Sequence, residues 1–232
     1  MGLKRQRKLS YGVGVNDADY AVQLRRKFLD ENGKLVSRIV WECPFWASWI
    51  SMLERCYSGA LQKKFPTYKD CYVCDEWLLF SNFRFWMEQQ EWENKSLDKD
   101  LLVYGNKVYS PDTCMFIPQQ INLLIQEKRR GTLTGLAINR SKTRFQATVQ
   151  DQTSNKSLTL GTYDTLFEAK NVWVAKKIEI AIKLHCTHNS DHITKSVINH
   201  YLQVRDEFYK EFGDYMHCGG ADLFDLLYTF SK

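Results

Sequence analysis

The chain has no apolar run near the ~18 residues that a membrane-spanning helix requires, and no apolar segment follows the basic N terminus that ends at Lys8. We therefore expect neither a membrane protein nor a secreted one, and we place the protein in the cytoplasm. The cysteines are odd in number, with 7 residues at scattered positions and no regular spacing. This usage is typical of a reducing compartment, so a disulfide scaffold is excluded and most thiols are expected to be small buried groups.

The composition is that of a globular chain. Of 232 residues, 44% are hydrophobic, 14% are aromatic and 25% are charged, which excludes a disordered chain, a collagen and a coiled coil. The length suits one large domain or two to three small ones. The aromatic side chains supply enough apolar surface for a sizeable core that needs neither a metal nor a disulfide.

Positive charge is concentrated in one part of the chain. Residues 128–184 hold eleven lysines and arginines against four acids, a net charge of +7, whereas the other 175 residues hold 21 cations against 23 acids. A second basic cluster, Lys4 to Lys8, lies in residues 1–10, which we interpret as a basic arm. This asymmetry is typical of a protein with a polyanionic partner, most often nucleic acid. A solvated charged face is the alternative interpretation.

The first half of the chain shows hairpin and helix signals. Asn32-Gly33 between two strand-like runs predicts a β-hairpin. Apolar residues at helical spacing predict a buried helix from Phe45 to Tyr57, and Tyr72-Val73 is typical of a short extended segment. A second helix, starting at Asp75 or Ser81, carries a stripe of aromatic residues. We assign that stripe to the core, with base stacking as the alternative.

The second half alternates strands with helices. Residues 96–126 predict a short strand, a loop, a second short strand and a helix behind Pro118. Residues 133–160 predict three half-buried antiparallel strands, and Thr165 with Glu168 forms a capping box for a helix that runs to about Leu184. A further helix is predicted over 194–212. The helix side expected to cover the sheet holds Ala169, Val172, Ala175 or the Lys176 stem, and Ile182.

The outer face of the predicted sheet is rich in groups that bind DNA. Guanidinium and amide side chains make paired hydrogen bonds to base edges, and lysines in turns suit phosphates. We predict double-stranded DNA as the partner, because a small sheet fits the major groove as a ribbon does. The predicted DNA-binding residues are Lys128, Arg129, Arg130, Asn139, Arg140, Lys142, Arg144, Gln146, Thr148 and Lys156.

About fifty residues resemble a known DNA-binding family. The segments that carry the resemblance are Gly135 to Ile138, Arg144 to Ala147, Leu160 to Thr165, and Glu168-Ala169. They are similar to the plant ethylene-response-type (APETALA-like) domain, which also occurs beside phage and transposon nucleases. The resemblance implies a three-stranded antiparallel sheet packed on one helix, and binding of DNA by that sheet.

The preceding block resembles phage-encoded HNH-type endonucleases with a degenerate motif. The matching segments are 11–17, 52–57, 76–83 and 97–114. The resemblance implies an α+β protein whose N-terminal nuclease-like domain has a ββα core, followed by the sheet-and-helix unit and a helical tail. The implied domains are a basic arm at 1–10, a nuclease-like domain at 11–127, a DNA-binding domain at 128–184 and a helical extension at 185–232.

The resemblance also assigns the candidate catalytic residues. Asp98 matches the family's acidic residue beside the metal. Asn106 matches the loop residue that braces the backbone, and Thr113 matches a later metal ligand. Lys99 falls where the family has its general-base histidine, and no histidine precedes His185. Either Lys99 acts as the base with a strongly lowered pKa, or Asp100 takes the proton or the ion. Asp98, Asp100 and Asp112 are oxygen ligands that suit Mg²⁺ or Mn²⁺.

The sequence thus predicts a metal-dependent DNA endonuclease or nickase of the phage homing type, acting in the host cytoplasm. One alternative is a DNA-binding regulator on an inactive nuclease scaffold. Another is a phage protein that inhibits a host factor. Cys71 and Cys74 have zinc spacing, and Cys186, His188 and His192 are candidate partner ligands, but buried thiols and surface histidines account for the same residues. Zinc is therefore not the expected metal.

Overall fold

The computed structural model describes residues 9–126, 133–139 and 143–213, and for residues 186–188 the backbone alone. This part of the chain divides into two compact units. The first comprises residues up to 93 together with 97–100 and 105–116, and the second comprises 94–96, 101–104 and the chain from 117 onward. No helix in the described ranges is both long and apolar enough to cross a membrane. The domain boundaries inferred from the sequence stay predictions.

The first unit mixes short strands with helices. Its hairpin and helices are β1 (Gln23–Leu29), β2 (Leu35–Glu42), α1 (Pro44–Tyr57), α2 (Gly59–Lys64) and α3 (Phe80–Glu88). The remaining strands up to residue 118 are β3 (Tyr72–Val73), β4 (Lys95–Asp98), β5 (Val108–Tyr109) and β6 (Met115–Pro118). β3 pairs with β5 in parallel, and β4 pairs with β6. The predicted order of strand, loop, strand and helix over 96–126 is confirmed, with β5 as an additional two-residue strand.

An aromatic core holds the first unit together. Trp49 of α1 is fully buried, and its indole Nε1 donates a hydrogen bond to the backbone oxygen of Trp77 at 2.7 Å. Phe80 and Phe83 of α3 are buried in the same cluster. The assignment of the aromatic stripe to the core is therefore confirmed, except for Phe85, which is 69% exposed.

The second unit is a sheet backed by helices. Its elements are α4 (Gln119–Ile125), β7 (Leu136–Ile138), β8 (Phe145–Asp151), β9 (Lys156–Tyr163), α5 (Leu166–His188) and α6 (Asp191–Phe212). The strand order is β7-β8-β9, antiparallel throughout, and α5 packs on this sheet. The predicted α+β class, with a three-stranded sheet on one helix and a helical segment after it, is confirmed.

The capping box at the start of α5 is also confirmed. The Thr165 side chain accepts from the Glu168 N–H at 3.2 Å, and the Glu168 carboxylate accepts from the Thr165 N–H at 3.3 Å. The helix runs four residues past the predicted end, to His188, and stops at Asn189, whose φ of 45° lies in the left-handed region.

The prediction of which residues form the buried side of α5 is partly wrong. Ala169 is buried as expected, but Ala175 and Ile182 are exposed. In their place α5 buries two lysines, Lys170 and Lys177. The helix contacts the sheet on one side and α6 on another, so it buries a wider face than a surface helix does.

Aromatic rings surround the two buried lysines. The Lys170 ammonium lies 4.3 Å from the Trp173 ring centroid and 4.4 Å from that of Phe208. The Lys177 ammonium donates to the Leu124 backbone oxygen at 2.9 Å. Because these two cations are interior, part of the charge excess of residues 128–184 is not displayed on a surface.

Candidate functional sites: a braced acidic loop and a polar sheet face

The loop between β4 and β5 is braced by one amide side chain. Asn106 Nδ2 donates to the backbone oxygens of Lys99 at 2.8 Å and Val108 at 2.7 Å, and its Oδ1 accepts from the Val108 N–H at 3.0 Å. Three hydrogen bonds thus join the two ends of the loop through one side chain. Asn106 therefore holds the loop closed, while the catalytic role that the resemblance implies for it stays a prediction.

Lys99 lies inside this loop and not at a surface. It is only 5% exposed, and its ammonium donates to Asp100 Oδ1 at 2.5 Å and to the Asn106 backbone oxygen at 2.7 Å. A general base needs a free lone pair directed at a water molecule. An ammonium group that donates to a carboxylate and a carbonyl does not offer one, so the geometry favours a structural cation at Lys99.

The predicted metal ligands are engaged with the protein. Asp98 is buried, and its Oδ1 accepts from the Asp100 N–H at 2.9 Å. Thr113 Oγ1 donates to the Val108 backbone oxygen at 2.8 Å, whereas Asp112 is exposed. Among the described residues, no three His, Cys, Asp or Glu side chains lie together in a way that holds a metal ion. In this geometry the Lys99 ammonium neutralises the Asp100 carboxylate, and a metal site at Asp98, Asp112 and Thr113 stays a prediction.

Arg55 of α1 is a further residue of this region, and sequence reasoning did not single it out. Its Nη1 lies 3.3 Å from the Leu97 backbone oxygen and 3.5 Å from the Tyr109 hydroxyl, which links α1 to β4 and β5. Burial raises the pKa of Tyr109, so its hydroxyl stays protonated. Arg55 also lines a shallow cleft of about 220 Å³. The available signal was its place in the segment 52–57, which carries part of the resemblance.

The described cysteines are free thiols, and four of them lie in environments that disfavour thiolate. Burial raises the pKa of Cys56 and of Cys114 to about 12, and it raises the pKa of Cys71 and Cys74 as well. The side chains of Cys186 and His188 lie outside the described residues.

The sheet of the second unit has one apolar and one polar face. Along β8, Phe145, Ala147 and Val149 are buried against α5. The alternate residues of β8 are Gln146, Thr148 and Gln150, and their partners on β9 are Thr162, Thr159 and Ser157. The polar face therefore consists of neutral amide and hydroxyl groups, and Gln150, Ser157 and Thr159 on it are exposed.

Four of the five described DNA-binding candidates lie on or beside this polar face, whereas Lys156 pairs with Asp151 on the side of the sheet that faces α5. Not all of the candidates offer free groups. Asn139 Oδ1 accepts from the Thr143 and Arg144 N–H groups, closing the β7–β8 loop. Arg144 Nε forms an exposed ion pair with Asp164 at 2.7 Å. Lys156 is exposed at the start of β9. Five candidates lie outside the described residues: Lys128, Arg129, Arg130, Arg140 and Lys142.

Asp151 organises the turn between β8 and β9. One carboxylate oxygen accepts from the N–H and the hydroxyl of Thr153 at 2.9 and 2.6 Å, and the other accepts from the Ser154 hydroxyl at 2.8 Å. These hydrogen bonds, that of the Thr153 side chain above all, lower the pKa of Asp151 to about 2. The turn therefore depends on the ionised carboxylate.

We expect a pH-dependent loss of stability in Asp151→Asn. A lowered pKa in the folded state stabilises the protein above about pH 4, and this stability is lost as the pH falls towards about 2. At neutral pH the free energy of unfolding of the variant should be about 1 to 2 kcal/mol lower than that of the wild type. Near pH 2 the two proteins should be equally stable. Urea titrations across this range measure it; an equal difference at both pH values would show that the carboxylate charge is irrelevant.

The chain matches no known protein family, no curated protein and no solved structure. The candidate sites therefore have to be judged by their own geometry. Of the two, the polar sheet face has exposed side chains, whereas the groups of the braced loop mostly form hydrogen bonds with one another.

Proposed function

We propose that the chain binds double-stranded DNA through the polar face of the β7-β8-β9 sheet. The observation that carries the proposal is the pairing of amide and hydroxyl side chains on this face, with α5 covering the opposite one. A sheet backed by a helix on one side is free to meet a partner on the other. Neutral paired donors and acceptors are suited to base edges, which distinguishes this face from a merely solvated charged surface.

The dimensions of the sheet suit a DNA groove. β8 has seven residues, which at ~3.3 Å per residue gives a strand of roughly 23 Å, about two-thirds of a ~34 Å turn of B-DNA. Amide groups such as those of Gln146 and Gln150 are suited to paired hydrogen bonds with adenine, and threonine methyl groups are suited to contact with thymine. Arg144, which precedes Phe145 on the polar side of β8, suits a phosphate if its guanidinium exchanges Asp164 for the DNA backbone.

The test adds negative charge to the polar face. In Gln150→Glu with Thr159→Glu, two acids stand on exposed positions of neighbouring strands, where they repel the phosphate backbone. We expect the affinity for a fluorescent duplex of about 25 base pairs to fall more than tenfold at low salt. Anisotropy titrations of variant and wild type measure the change.

The matched control places the same two charges on the other side of the same unit. Ala175 and Ile182 are exposed positions of α5. Ala175→Glu with Ile182→Glu should leave DNA affinity within about twofold of the wild type, because these acids lie on the helix and away from the polar face. An equal loss in both double variants would mean that only overall charge matters, and the assigned face would be wrong.

DNA cleavage is the second candidate function. The observation that supports it is the set of hydrogen bonds by which Asn106, the residue that the resemblance assigns as the brace, joins the two ends of its loop. The test is conversion of supercoiled plasmid with Mg²⁺ or Mn²⁺ added. Nicking by the wild type that disappears in Asp98→Ala would support an endonuclease. DNA binding with no nicking in either metal would favour a regulator on an inactive scaffold.

A protein that inhibits a host factor is the remaining alternative. It predicts no salt-dependent affinity for DNA at all. Titrations of the wild type at roughly 50 and 200 mM salt separate it from both DNA-binding candidates, since neutralised phosphates make log affinity fall linearly with log salt concentration.

A further inference from the structure

The β1–β2 hairpin exposes most of its length. Nearly every residue of the two strands is exposed, and seven large apolar side chains on them are between 42% and 70% exposed. They are Leu24, Phe28, Leu29, Leu35, Ile39, Val40 and Trp41. The strands form a two-stranded sheet of their own. Such contiguous apolar exposure, with open strand edges, is typical of an interaction surface.

The same hairpin brings like charges face to face. Arg26 on β1 lies directly opposite Arg38 on β2, and Lys27 stands opposite Ser37. In the part of the chain that the structure describes, neither arginine forms a hydrogen bond or an ion pair. Like charges on directly opposed residues destabilise a strand pair. A polyanion that binds both guanidinium groups removes this cost.

The arginine pair stands within an apolar surface. Alternation along the strands puts Phe28 and its partner Val36 on the same face as the pair, and Leu24 with its partner Trp41 on that face at the other end. Acids occur only near the ends: Glu42 accepts from Gln23 at the base, while Asp30 and Glu31 lie in the turn. The middle of the ribbon is therefore cationic and apolar.

We propose that this hairpin is a second DNA-binding surface, a two-stranded ribbon that enters a groove of the duplex. The major groove is ≈ 12 Å wide and admits a two-stranded ribbon. Arg26 and Arg38 bind phosphates or base edges, and the aromatic and aliphatic groups beside them contact bases or thymine methyl groups. Ribbon binding rests on one part of the proposed function, the binding of double-stranded DNA, and it does not depend on which face of the sheet takes part.

The test removes the opposed charges without removing side-chain bulk. Arg26→Gln with Arg38→Gln relieves the like-charge repulsion, so the folded hairpin is retained. We expect affinity for the same fluorescent duplex to fall about tenfold, and the slope of log affinity against log salt concentration to fall by about 2. Melting curves by circular dichroism should show equal or higher stability than the wild type.

The matched control removes two charges elsewhere in the first unit. Lys63 and Lys69 are exposed and lie outside the hairpin. Lys63→Gln with Lys69→Gln should change affinity by less than twofold and leave the salt slope within experimental scatter. An equal loss in both double variants would overturn the ribbon, because it would reduce the effect to net charge.

Three further outcomes would refute DNA binding by the hairpin. Each can be distinguished from an outcome that refutes DNA binding by the β7-β8-β9 sheet. If Gln150→Glu with Thr159→Glu weakens DNA binding while the arginine variant binds like the wild type, the proposed function stands without the ribbon. If the wild type shows no salt-dependent DNA affinity, both surfaces fail. Binding to phosphatidylcholine–phosphatidylserine vesicles that the arginine variant loses, with DNA affinity unchanged, identifies a membrane-binding hairpin instead. Loss of DNA affinity in the arginine variant alone supports the ribbon and refutes the sheet.

Discussion

Gly135→Ala should lower the free energy of unfolding by about 3 kcal/mol or more. Gly135 precedes β7 with a φ of +76°, in the left-handed region that a side chain disfavours. A Cβ atom at this position would lie 1.9 Å from Nε1 and 2.5 Å from Cδ1 of Trp173, a residue that is 2% exposed. The ring has little room to move, because Tyr201 packs against it with centroids 5.8 Å apart.

A second glycine separates backbone strain from the steric clash. Gly33, in the β1–β2 turn, has nearly the same φ of +75°, but a Cβ built there has no atom within 4 Å. Gly33→Ala should therefore cost only the ~1 kcal/mol of the left-handed backbone. Urea unfolding of both variants gives the comparison. If the two substitutions cost the same, the Trp173 ring yields without penalty, and the close packing of β7 on α5 does not limit stability.

The elements that the sequence predicts well are those with local causes. Asn32-Gly33 predicts the hairpin because the turn needs positive φ, and Gly33 has it. Thr165 and Glu168 predict the start of α5 because the capping box is made within four residues. In each case the residues that determine the geometry are the residues that adopt it.

The errors concern burial, which depends on residues distant in the chain. The helical pattern of α5 identifies a helix, but Ile182 is exposed and Lys170 is buried because α6 contributes Phe208 to the lysine environment. No local signal marks a lysine that will be surrounded by rings. The hairpin is the converse case, since its strands are apolar enough for a core and yet remain exposed.

The braced loop also has one feature that the sequence predicts and one that it does not. The resemblance to HNH endonucleases implies a bracing role for Asn106, and the three hydrogen bonds of its side chain reach residues within seven positions of it. The burial of Lys99 cannot be predicted from the sequence in this way. It depends, like the hydrogen bond from the Lys99 ammonium to the Asn106 backbone oxygen, on how the whole loop closes. Of the two alternatives that the sequence left open, Lys99 or Asp100 as the group that takes the proton, the geometry does not favour Lys99.

Asn106→Ala tests how much of this loop depends on one amide. The substitution removes the donors to the Lys99 and Val108 backbone oxygens and the acceptor for the Val108 N–H. At about 1 kcal/mol for each hydrogen bond, we expect unfolding to require about 2 to 3 kcal/mol less free energy. The Val108 amide should also lose protection from hydrogen exchange, because its only described acceptor disappears.

Asn82→Ala provides the matched control in the same unit. The Asn82 amide makes one hydrogen bond, to the Glu76 backbone oxygen at 3.0 Å, at a solvent-exposed position. Its loss should cost about 0.5 to 1 kcal/mol and leave the Val108 amide protected. Equal costs for the two variants, or unchanged exchange at Val108 in Asn106→Ala, would mean that the loop is held by its other contacts, such as the Lys99 ammonium with Asp100 and the Thr113 hydroxyl with the Val108 backbone oxygen. In that event Asn106 would not be the brace, and the observation that favours DNA cleavage would be removed with it.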